Sequence, residues 1–322
     1  MSKLTDIRTS LFNTLAKTPG RKRFMAGLGF LSLVNTTTGG FNTFPENPDT
    51  FSRNLQDLET GKTWVSMTNP ERLASSLNEP DLVWTGAKAT EDRGLHLNPA
   101  PELAINAPAP AGTFEAALGQ QSAAIPGGGV TASVVDGNTF SDTNSNPVNG
   151  CNQISFTGAA FSGKIVVLDS TEDCSAAVQV FFTQLEGAVG LLVADTTGSG
   201  LPDVSGGFGN PITIPYIGIQ KSEAEQLRTD IGIANATIQN SATKYAGENQ
   251  GKLKMYAPPG LEPGSSVSHW TKSATPDLLM EPAVGTLDFE DVDLTAAAFR
   301  DIGWSVNIPG GVVEVIFEDG FE

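Results

Sequence analysis

The most regular pattern of apolar and polar positions lies in the middle of the chain. Three short apolar runs rich in β-branched residues predict buried strands, and two stretches of helical periodicity accompany them. Strands and helices in this order predict an α/β layer with parallel strand pairing. The predicted strands are 163–169, 190–195 and 214–219, and the predicted helices are 174–188 and 221–231.

The first of these helices has an amphipathic pattern. Val178, Phe181, Phe182 and Leu185 share one face, and Gly187 is a stop signal. A surface helix of this kind buries its apolar face against the core.

Three further helices are predicted in the flanking segments, each from an N-cap residue followed by helical spacing. In the first, Phe24, Leu28 and Leu31 recur at helical spacing, and in the last, Gly303 is the stop signal. The predicted N-cap residues are Thr18, Asn69 and Asp293.

Charge narrows the choice of partners. The formal net charge of −17 disfavours nucleic acid and anionic membranes, since both repel an acidic surface. The longest apolar run, around 27–34, is far shorter than the roughly 18 residues of a membrane span. Residues 1–23 differ from the rest, with six basic residues against the single acidic Asp6. They contain no continuous apolar stretch, so the pattern of a secretory signal peptide is absent there.

Few residues are candidates for chemistry. The two histidines are His96, expected in a loop or edge strand, and His269, in the stretch "GSSVSHWTKSATPDLLMEP". His269 could be a metal ligand, a catalytic base or an ordinary polar loop residue. Cys151 and Cys174 could be free thiols or a disulfide, and a disulfide would imply an oxidising compartment. The sequence has no GxSxG elbow and no Walker motif.

Residues from about 94 to 250 resemble a protease-associated (PA) domain. The resemblance is carried by "NGCNQISFTGAAFSGKIVVLD", "LEGAVGLLVAD", "SGGFGNPITIPYIGI" and "SEAEQL", in that order. It implies that Cys151 and Cys174 form a disulfide, for which the chain-entropy model gives about 3 kcal/mol. It also implies a peptide or protein partner, because such domains act as lids, substrate-selecting walls or protein-contact modules beside an active site.

The flanks resemble exported bacterial zinc metallopeptidases of the leishmanolysin-like metzincin type. The matching stretches are "GLGFLSLVNTTTGGF", "TGKTWVSMTNPERLASS", "LVWTGAKAT", "GSSVSHW", "LLMEP" and "DLTAAAFRDIGW". In such enzymes a helix with HExxH supplies two zinc ligands and the general base, and a distant histidine supplies the third ligand. The resemblance implies that His269 occupies the third-ligand position and that Met280 occupies the Met-turn position.

The zinc-binding helix itself is degenerate. The positions of its two histidines and its glutamate fall on Lys22, Ala26 and Arg23, and the compact alternative for the third histidine falls on Ser32. Two histidines cannot make a three-histidine site. We therefore expect a truncated or frame-shifted peptidase homologue without catalytic residues and without a cofactor, although zinc is the metal of the family. The alternative is an active secreted zinc endopeptidase whose catalytic helix is mis-assigned or missing from this chain.

The expected architecture is mixed, α+β with α/β, and consists of a PA domain inserted into a partial metzincin-like domain. The location implied by the resemblance is extracellular or periplasmic.

Without a first catalytic half, we expect Leu28, Leu31 and the last helix to lack packing partners. The acidic run 288–293 is interpreted as helix-start acids, with a calcium site as the alternative. The expected segments are 1–93 (with 1–23 atypical), the PA domain 94–250, 251–304 and an acidic tail 305–322.

Overall fold

A computed structural model describes residues 26, 29–42, 47–140, 149–152, 160–198, 200–282 and 293–304. The chain forms two compact units. The split unit combines residues 1–98 with residues 244–322, and the inserted unit is Pro99–Thr243. Most of the helix predicted from Thr18, including Leu28, lies outside the described residues, as do the tail 305–322 and most of the acidic run 288–293. Of that predicted helix, Ala26 is helical and Phe30 and Leu31 are not.

Among the described residues, the split unit contains a four-stranded antiparallel sheet, in the order β1-β2-β12-β11, and three α-helices whose bounds are described in full. The backbone N–H of Ala246 donates to the carbonyl of Asn98 at 2.9 Å, so the chain leaves and re-enters this unit at adjacent points. The strands and helices are β1 (Leu55–Asp57), α1 (Asn69–Ser75), β2 (Leu82–Trp84), α2 (Ala87–His96), β11 (Glu248–Asn249), β12 (Lys252–Lys254) and α5 (Leu294–Asp301).

Phe30 lies at the centre of the core of this unit. Its ring is 5.1 Å from Phe51, 5.2 Å from Trp270, 6.0 Å from Phe299 and 6.3 Å from Trp84, measured between centroids. All five rings are buried. Aromatic pairs at these separations stabilise a core beyond the area that they bury. The cluster joins segments that lie on both sides of the inserted unit in the sequence.

Segment 29–42 is anchored by a buried arginine. Arg72 of α1 donates to the carbonyls of Gly39 at 2.7 Å and Trp64 at 2.9 Å. Gly39 has a φ of +71°, and a Cβ at this position would come within 1.9 Å of the carbonyl oxygen of Asn69. The turn therefore requires glycine at this position.

Helix α5 is packed, which corrects the expectation that it would lack partners. Leu294, Phe299 and the three alanines between them are buried, and α5 contacts α2. Asp301 of α5 accepts hydrogen bonds from the backbone N–H groups of Lys88 at 2.7 Å and Ala89 at 3.0 Å. A carboxylate in this position satisfies the unpaired donors at the start of α2.

The inserted unit contains an eight-stranded sheet in the order β4-β3-β10-β6-β7-β8-β9-β5. Strands β6 to β9 are parallel, as the sequence pattern predicted. The strands and helices are β3 (Pro99–Ala107), β4 (Gly112–Glu115), β5 (Ala117–Leu118), β6 (Val130–Asp136), β7 (Ile165–Asp169), α3 (Ala176–Leu185), β8 (Gly190–Ala194), β9 (Tyr216–Ile219), α4 (Lys221–Thr229) and β10 (Asn235–Tyr245).

The parallel strands are buried on both faces. In β7, Ile165 and Val167 belong to a core that includes residues of α4, whereas Val166 and Leu168 belong to a second core that includes residues of α3. A strand covered on both sides needs apolar residues at every position, which explains the continuous run that predicted it.

Helix α3 buries a different face from the one its apolar pattern indicated. Its buried residues are Ala176, Ala177, Gln179, Val180 and Thr183. The small alanines and Val180 face the core, and the two polar side chains are satisfied there. The amide of Gln179 donates to the carbonyls of Asn149 at 2.7 Å and Asp169 at 2.9 Å, and Thr183 donates to the carbonyl of Gln179 at 2.7 Å.

The apolar face that the sequence indicated is only partly covered, with Phe182 packed against the second core. Val178, Phe181 and Phe182 are half-buried, and Leu185 is 57% exposed. The helix itself was predicted correctly, but most of its buried residues lie on a different face from the apolar one of the sequence pattern.

Two smaller corrections concern the ends of helices. His96 is the last residue of α2 rather than part of a loop or an edge strand. Helix α1 begins at Asn69, but its N-cap is Thr68, which forms a capping box with Glu71. The last helix has the predicted N-cap, Asp293, and Gly303 adopts a φ of +94° just after the helix ends.

The disulfide implied by the PA resemblance is confirmed. Cys151 and Cys174 are joined by an S–S bond of 2.00 Å. Asn149 lies beside them, accepting from the N–H of Cys151 at 3.0 Å and donating to Asp173 at 3.0 Å. The bridge ties the segment before β7 to the start of α3.

Replacing Phe30 should destabilise the split unit strongly. Phe30→Ala would leave a cavity among four aromatic rings, and we expect a loss of about 3–5 kcal/mol. Urea unfolding followed by tryptophan fluorescence measures it, because all four tryptophans lie in this unit. Leu31→Ala is the control, since Leu31 is 37% exposed, and it should cost less than about 1 kcal/mol. Equal losses in the two variants would contradict the central position of Phe30.

Removing the disulfide should destabilise the inserted unit. The cysteines are 23 residues apart, and the double change Cys151→Ser with Cys174→Ser should cost about 3 kcal/mol by the chain-entropy model. Urea unfolding followed by circular dichroism measures the loss. A reducing agent should bring the wild type to the stability of the double variant and leave the variant unchanged. Insensitivity of the wild type to reduction would contradict this.

Candidate functional site

The two segments that the sequence singled out lie side by side in the split unit. The backbone N–H of Trp270 donates to the carbonyl of Met280 at 2.8 Å. Both side chains are fully buried in the aromatic core. The structure therefore brings the "SHW" and "LLMEP" segments into direct contact.

The backbone before His269 is irregular. Met255 forms an antiparallel bridge with Trp270, and the N–H of Tyr256 donates to the carbonyl of His269 at 2.8 Å. In a regular antiparallel pair the N–H of His269 would donate back to the carbonyl of Tyr256. That carbonyl accepts instead from the N–H of Val267, at 2.6 Å. Val267 has a φ of +70°, which is rare for a β-branched residue. Bulges and strained residues of this kind concentrate at functional sites, where they direct a side chain.

The His269 side chain is 8% exposed, and its Nδ1 is 2.8 Å from the carbonyl oxygen of Ser265. A carbonyl can only accept, so Nδ1 carries a hydrogen. In the neutral ring Nε2 then holds the lone pair. Metal-binding histidines are commonly oriented in this way, with one nitrogen bonded to a carbonyl and the other directed to the metal.

Ser32, the alternative position for the third ligand, lies against the same segment. Its N–H donates to the hydroxyl of Ser268 at 3.1 Å. Its own hydroxyl is 2.9 Å from that of Ser52, which donates to Asp49 at 2.7 Å. Asp49 also accepts from the N–H of Leu33 at 3.0 Å. The serines and the aspartate thus hold segment 29–34 against the residue before His269.

Donor groups for a metal do not converge in the part of the chain that the structure describes. No group of three or more histidine, cysteine, aspartate or glutamate residues there could hold a metal ion. Lys22 to Met25 lie outside the described residues, and Ala26, at the second-histidine position, has no donor. His269 and Met280 are therefore placed together, but no further ligands accompany them within the described residues.

Two carboxylates hold the Met280 turn in place. Glu281 accepts from the N–H of Leu278 at 2.7 Å. Asp293 accepts from the N–H of Leu279 and, as the cap of α5, from the N–H of Thr295 at 2.8 Å. Asp293 is half-buried as a residue, and the desolvation of its carboxylate raises its pKa above the ordinary value of 3.8. The backbone hydrogen bonds and, more weakly, the charge of His96 act in the opposite direction.

The inserted unit has a polar cluster that the sequence did not suggest. Arg228 of α4 is 3.2 Å from Asp136 and 2.8 Å from Asp169, and it donates to Asn138 at 3.0 Å. These partners lie at or just beyond the carboxyl ends of β6 and β7. Arg228 offsets part of the negative charge of the two aspartates, and these contacts hold α4 against this end of the sheet.

The buried carboxylate of Asp293 should give the split unit a distinctive pH dependence. A carboxyl with a raised folded pKa contributes stability below its unfolded pKa and loses it as pH rises through the folded value. The free energy of unfolding of Asp293→Asn relative to that of the wild type should therefore increase as the pH rises above about 4, at no more than about 1.4 kcal/mol per pH unit, and should level off above the folded pKa. Unfolding by urea, followed by tryptophan fluorescence, measures the difference. A constant difference across this range would show that the pKa of Asp293 is not raised.

None of the described helices is long and apolar enough to cross a membrane. Residues 117–227 match the family model of the PA domain. No curated protein matches the sequence at a significant level.

Several solved structures are similar to parts of the chain. BSAP, a zinc aminopeptidase from Bacillus subtilis, is 19% identical with a TM-score of 0.33, covering 48% of this chain and 35% of that one. The aminopeptidase from Aneurinibacillus sp. strain AM-1 is 18% identical with a TM-score of 0.31, covering 48% and 36%. A peptidase M28 precursor from Shewanella amazonensis SB2B is 13% identical with a TM-score of 0.29, covering 76% and 53%.

The chain spans about a third of the length of these two aminopeptidases. At TM-scores near 0.3 the similarities assign no function, and the metzincin resemblance of the flanking segments stays a hypothesis. The match to the family model, the parallel sheet covered by two helices and the Cys151–Cys174 bridge agree with one another. Residues 117–227 of this mixed α/β protein are a PA domain.

Proposed function

We propose that this chain is a degenerate homologue of zinc peptidases that does not cleave peptides itself and that binds a peptide or protein through its PA domain. The observation that carries the first part is the shortage of metal ligands. A catalytic zinc site uses three protein ligands and an open position for water. The whole sequence has two histidines, His96 and His269.

The residues at the positions of the zinc-binding helix do not fit the metal. Lys22 and Arg23 are cations that repel Zn²⁺, and Ala26 has no donor atom. Both cysteines are consumed by the disulfide. Within the described ranges, no cluster of carboxylates takes the place of the missing histidines. The described residues, together with Lys22 and Arg23, therefore do not supply a water-activating metal centre.

A metzincin-type origin of the split unit is the more specific part of this proposal. Its support is the contact between the "SHW" and "LLMEP" segments, together with the bond from Ser32 to Ser268. In that arrangement His269 is the remaining third ligand and Met280 lies beneath the former metal position. A disulfide fits an oxidising compartment, so we propose an extracellular or periplasmic location.

One observation favours the alternative of an active zinc endopeptidase. The bond between Nδ1 of His269 and the carbonyl of Ser265 leaves Nε2 as the lone-pair nitrogen, as in a metal-binding histidine. This alternative needs two further ligands and a general base from residues outside the described ranges or from another chain. Under this alternative, the chain would bind zinc and cleave peptides only together with those additional residues.

Peptide or protein binding is the role that the PA domain retains under either proposal. Strands β7, β8 and β9 at the centre of its sheet are buried on both faces. We therefore expect a partner to bind to the outer surface of the domain. Nucleic acids and anionic membranes are disfavoured as partners by the net charge of −17.

The test is zinc content together with proteolysis. The full chain is dialysed against zinc and then against buffer, and bound zinc is measured by mass spectrometry. We expect far less than one zinc per chain and no chelator-sensitive hydrolysis of casein. His269→Ala should change neither quantity, nor should the control His96→Ala.

Stoichiometric zinc would support the active peptidase instead. That outcome would be decisive if His269→Ala lost the metal and His96→Ala retained it.

A further inference from the structure

Asn149 is followed by Gly150, and this is the one Asn-Gly pair in the sequence. The side-chain amide of an asparagine reacts with the backbone nitrogen of the next residue, most readily when that residue is glycine, because glycine has no side chain to obstruct ring closure. The fold requires glycine here. Gly150 has a φ of +77°, and a Cβ would come within 2.8 Å of Leu168 and 3.2 Å of Gln179. The packing of the inserted unit therefore demands a chemically reactive pair at this position.

Hydrogen bonds hold Asn149 in an unreactive position in the folded unit. Its side-chain oxygen accepts from the N–H of Cys151 at 3.0 Å, and its side-chain nitrogen donates to Asp173 at 3.0 Å. Its backbone carbonyl accepts from the side chain of Gln179 at 2.7 Å. Ring closure needs the side chain to turn its amide carbon onto the nitrogen of Gly150, so both side-chain bonds must break first. Breaking them slows the reaction by at least about tenfold.

The disulfide keeps the two partners of the Asn149 side chain together. Cys151 supplies the N–H donor, and Asp173 directly precedes Cys174 in the sequence. The bridge therefore joins the residue that donates to Asn149 to the neighbour of the residue that accepts from it. Without the bridge, the segment of Asn149 is held against α3 by non-covalent contacts, which open locally.

The charge of Asp173 adds to this protection. Ring closure develops negative charge on the backbone nitrogen of Gly150 and then on the amide oxygen of Asn149. A carboxylate bonded to the same amide opposes that charge. The protection is lost when local opening separates the two side chains.

We propose that Asn149 is a deamidation site that the Cys151–Cys174 bridge protects and that reduction of the bridge exposes. The backbone nitrogen of Gly150 bonds to Cγ of Asn149, the Cγ–Nδ2 bond breaks, and ammonia leaves with the proton of the backbone amide. One water molecule then opens the cyclic imide to aspartate or isoaspartate. Water is the only co-reactant, and the reaction is independent of whether the chain binds a peptide.

The modification makes reduction of the bridge difficult to reverse. An aspartate at position 149 cannot donate to Asp173, and two carboxylates would then lie next to each other. Isoaspartate adds a carbon atom to the backbone before Cys151 and so displaces this cysteine from Cys174. Deamidation would therefore mark the molecules whose bridge has been broken.

The test compares the oxidised and the reduced full chain during incubation at mildly alkaline pH. Chymotrypsin cuts after Phe140 and Phe156 and releases the peptide 141–156. Tandem mass spectrometry of this peptide locates the exchange of an amino group for a hydroxyl, relative to a sample digested without incubation. Reduction should accelerate the deamidation of Asn149 at least about tenfold.

Variants separate the contributions to the protection. Asp173→Ala should accelerate the reaction of the oxidised chain about three- to tenfold, because it removes the acceptor of the Asn149 amide. Glu172→Ala is the matched control, since it removes an exposed carboxylate one residue away, and it should react like the wild type. The double change Cys151→Ser with Cys174→Ser should react like the reduced wild type, with or without a reducing agent.

A further variant tests the effect on the bridge. Asn149→Asp reproduces one of the two products, and in a glutathione buffer it should shift the thiol–disulfide equilibrium toward the thiols by about two- to fivefold. Asn149→Ser is the neutral control. Its hydroxyl can still accept from the N–H of Cys151, so it should shift the equilibrium less than Asn149→Asp.

The possible outcomes are distinct. Acceleration confined to Asn149 on reduction would support the proposal, and equal rates in the oxidised and reduced chains would overturn it. Asn240, which precedes a serine in β10 of the same unit, reports on general unfolding. Parallel acceleration of Asn240 would show that reduction unfolds the whole unit, and it would overturn local protection by the bridge. Slow reaction of Asn149 in both states would also overturn the proposal, with the free peptide 141–156 as the measure of the reactivity of the unprotected pair.

Discussion

The split unit depends on the packing of Phe30 against four aromatic rings from four other segments. Phe51 and Trp84 come from the sequence before the inserted unit, and Trp270 and Phe299 come from the sequence after it. Without the other pair, Phe51 and Trp84 on one side, or Trp270 and Phe299 on the other, would expose large apolar surfaces. Burying them together makes one core from two distant parts of the chain. This core also places Met280 against Trp270, and with it the turn next to His269.

The same packing holds the segments of His269 and Met280 together. The contact between Trp270 and Met280 and the bond from Ser32 to Ser268 are made by backbone and core groups. Such contacts stabilise the fold whether or not an ion is present. A zinc site additionally needs several donors at one point, and those donors contribute to function rather than to this core. The geometry around His269 is thus maintained by packing.

The PA domain shows how a helix can contradict its own apolar pattern. On α3 the small residues Ala176 and Ala177 approach the sheet closely, and Gln179 satisfies backbone carbonyls there. Two phenylalanines and a leucine would fit less closely in that position. The two phenylalanine rings contact Phe208 instead, Phe182 also packs against the second core, and Leu185 is exposed. The stability of this unit rests on its two cores and its disulfide rather than on its largest side chains.

The sequence by itself determined the parallel strands, the disulfide through its resemblance to PA domains, and the cap at Asp293, because these follow from local patterns or recurring motifs. It also determined that two histidines cannot form a three-histidine site. Only the tertiary structure decided which face of α3 is buried, that α5 has packing partners and that Ser32 lies beside Ser268. These features depend on contacts between residues far apart in the chain. The periodicity of apolar residues shows which face of a helix is the more apolar. Which face is buried depends also on the shapes of the side chains and on satisfied hydrogen bonds, and only the folded chain brings those together.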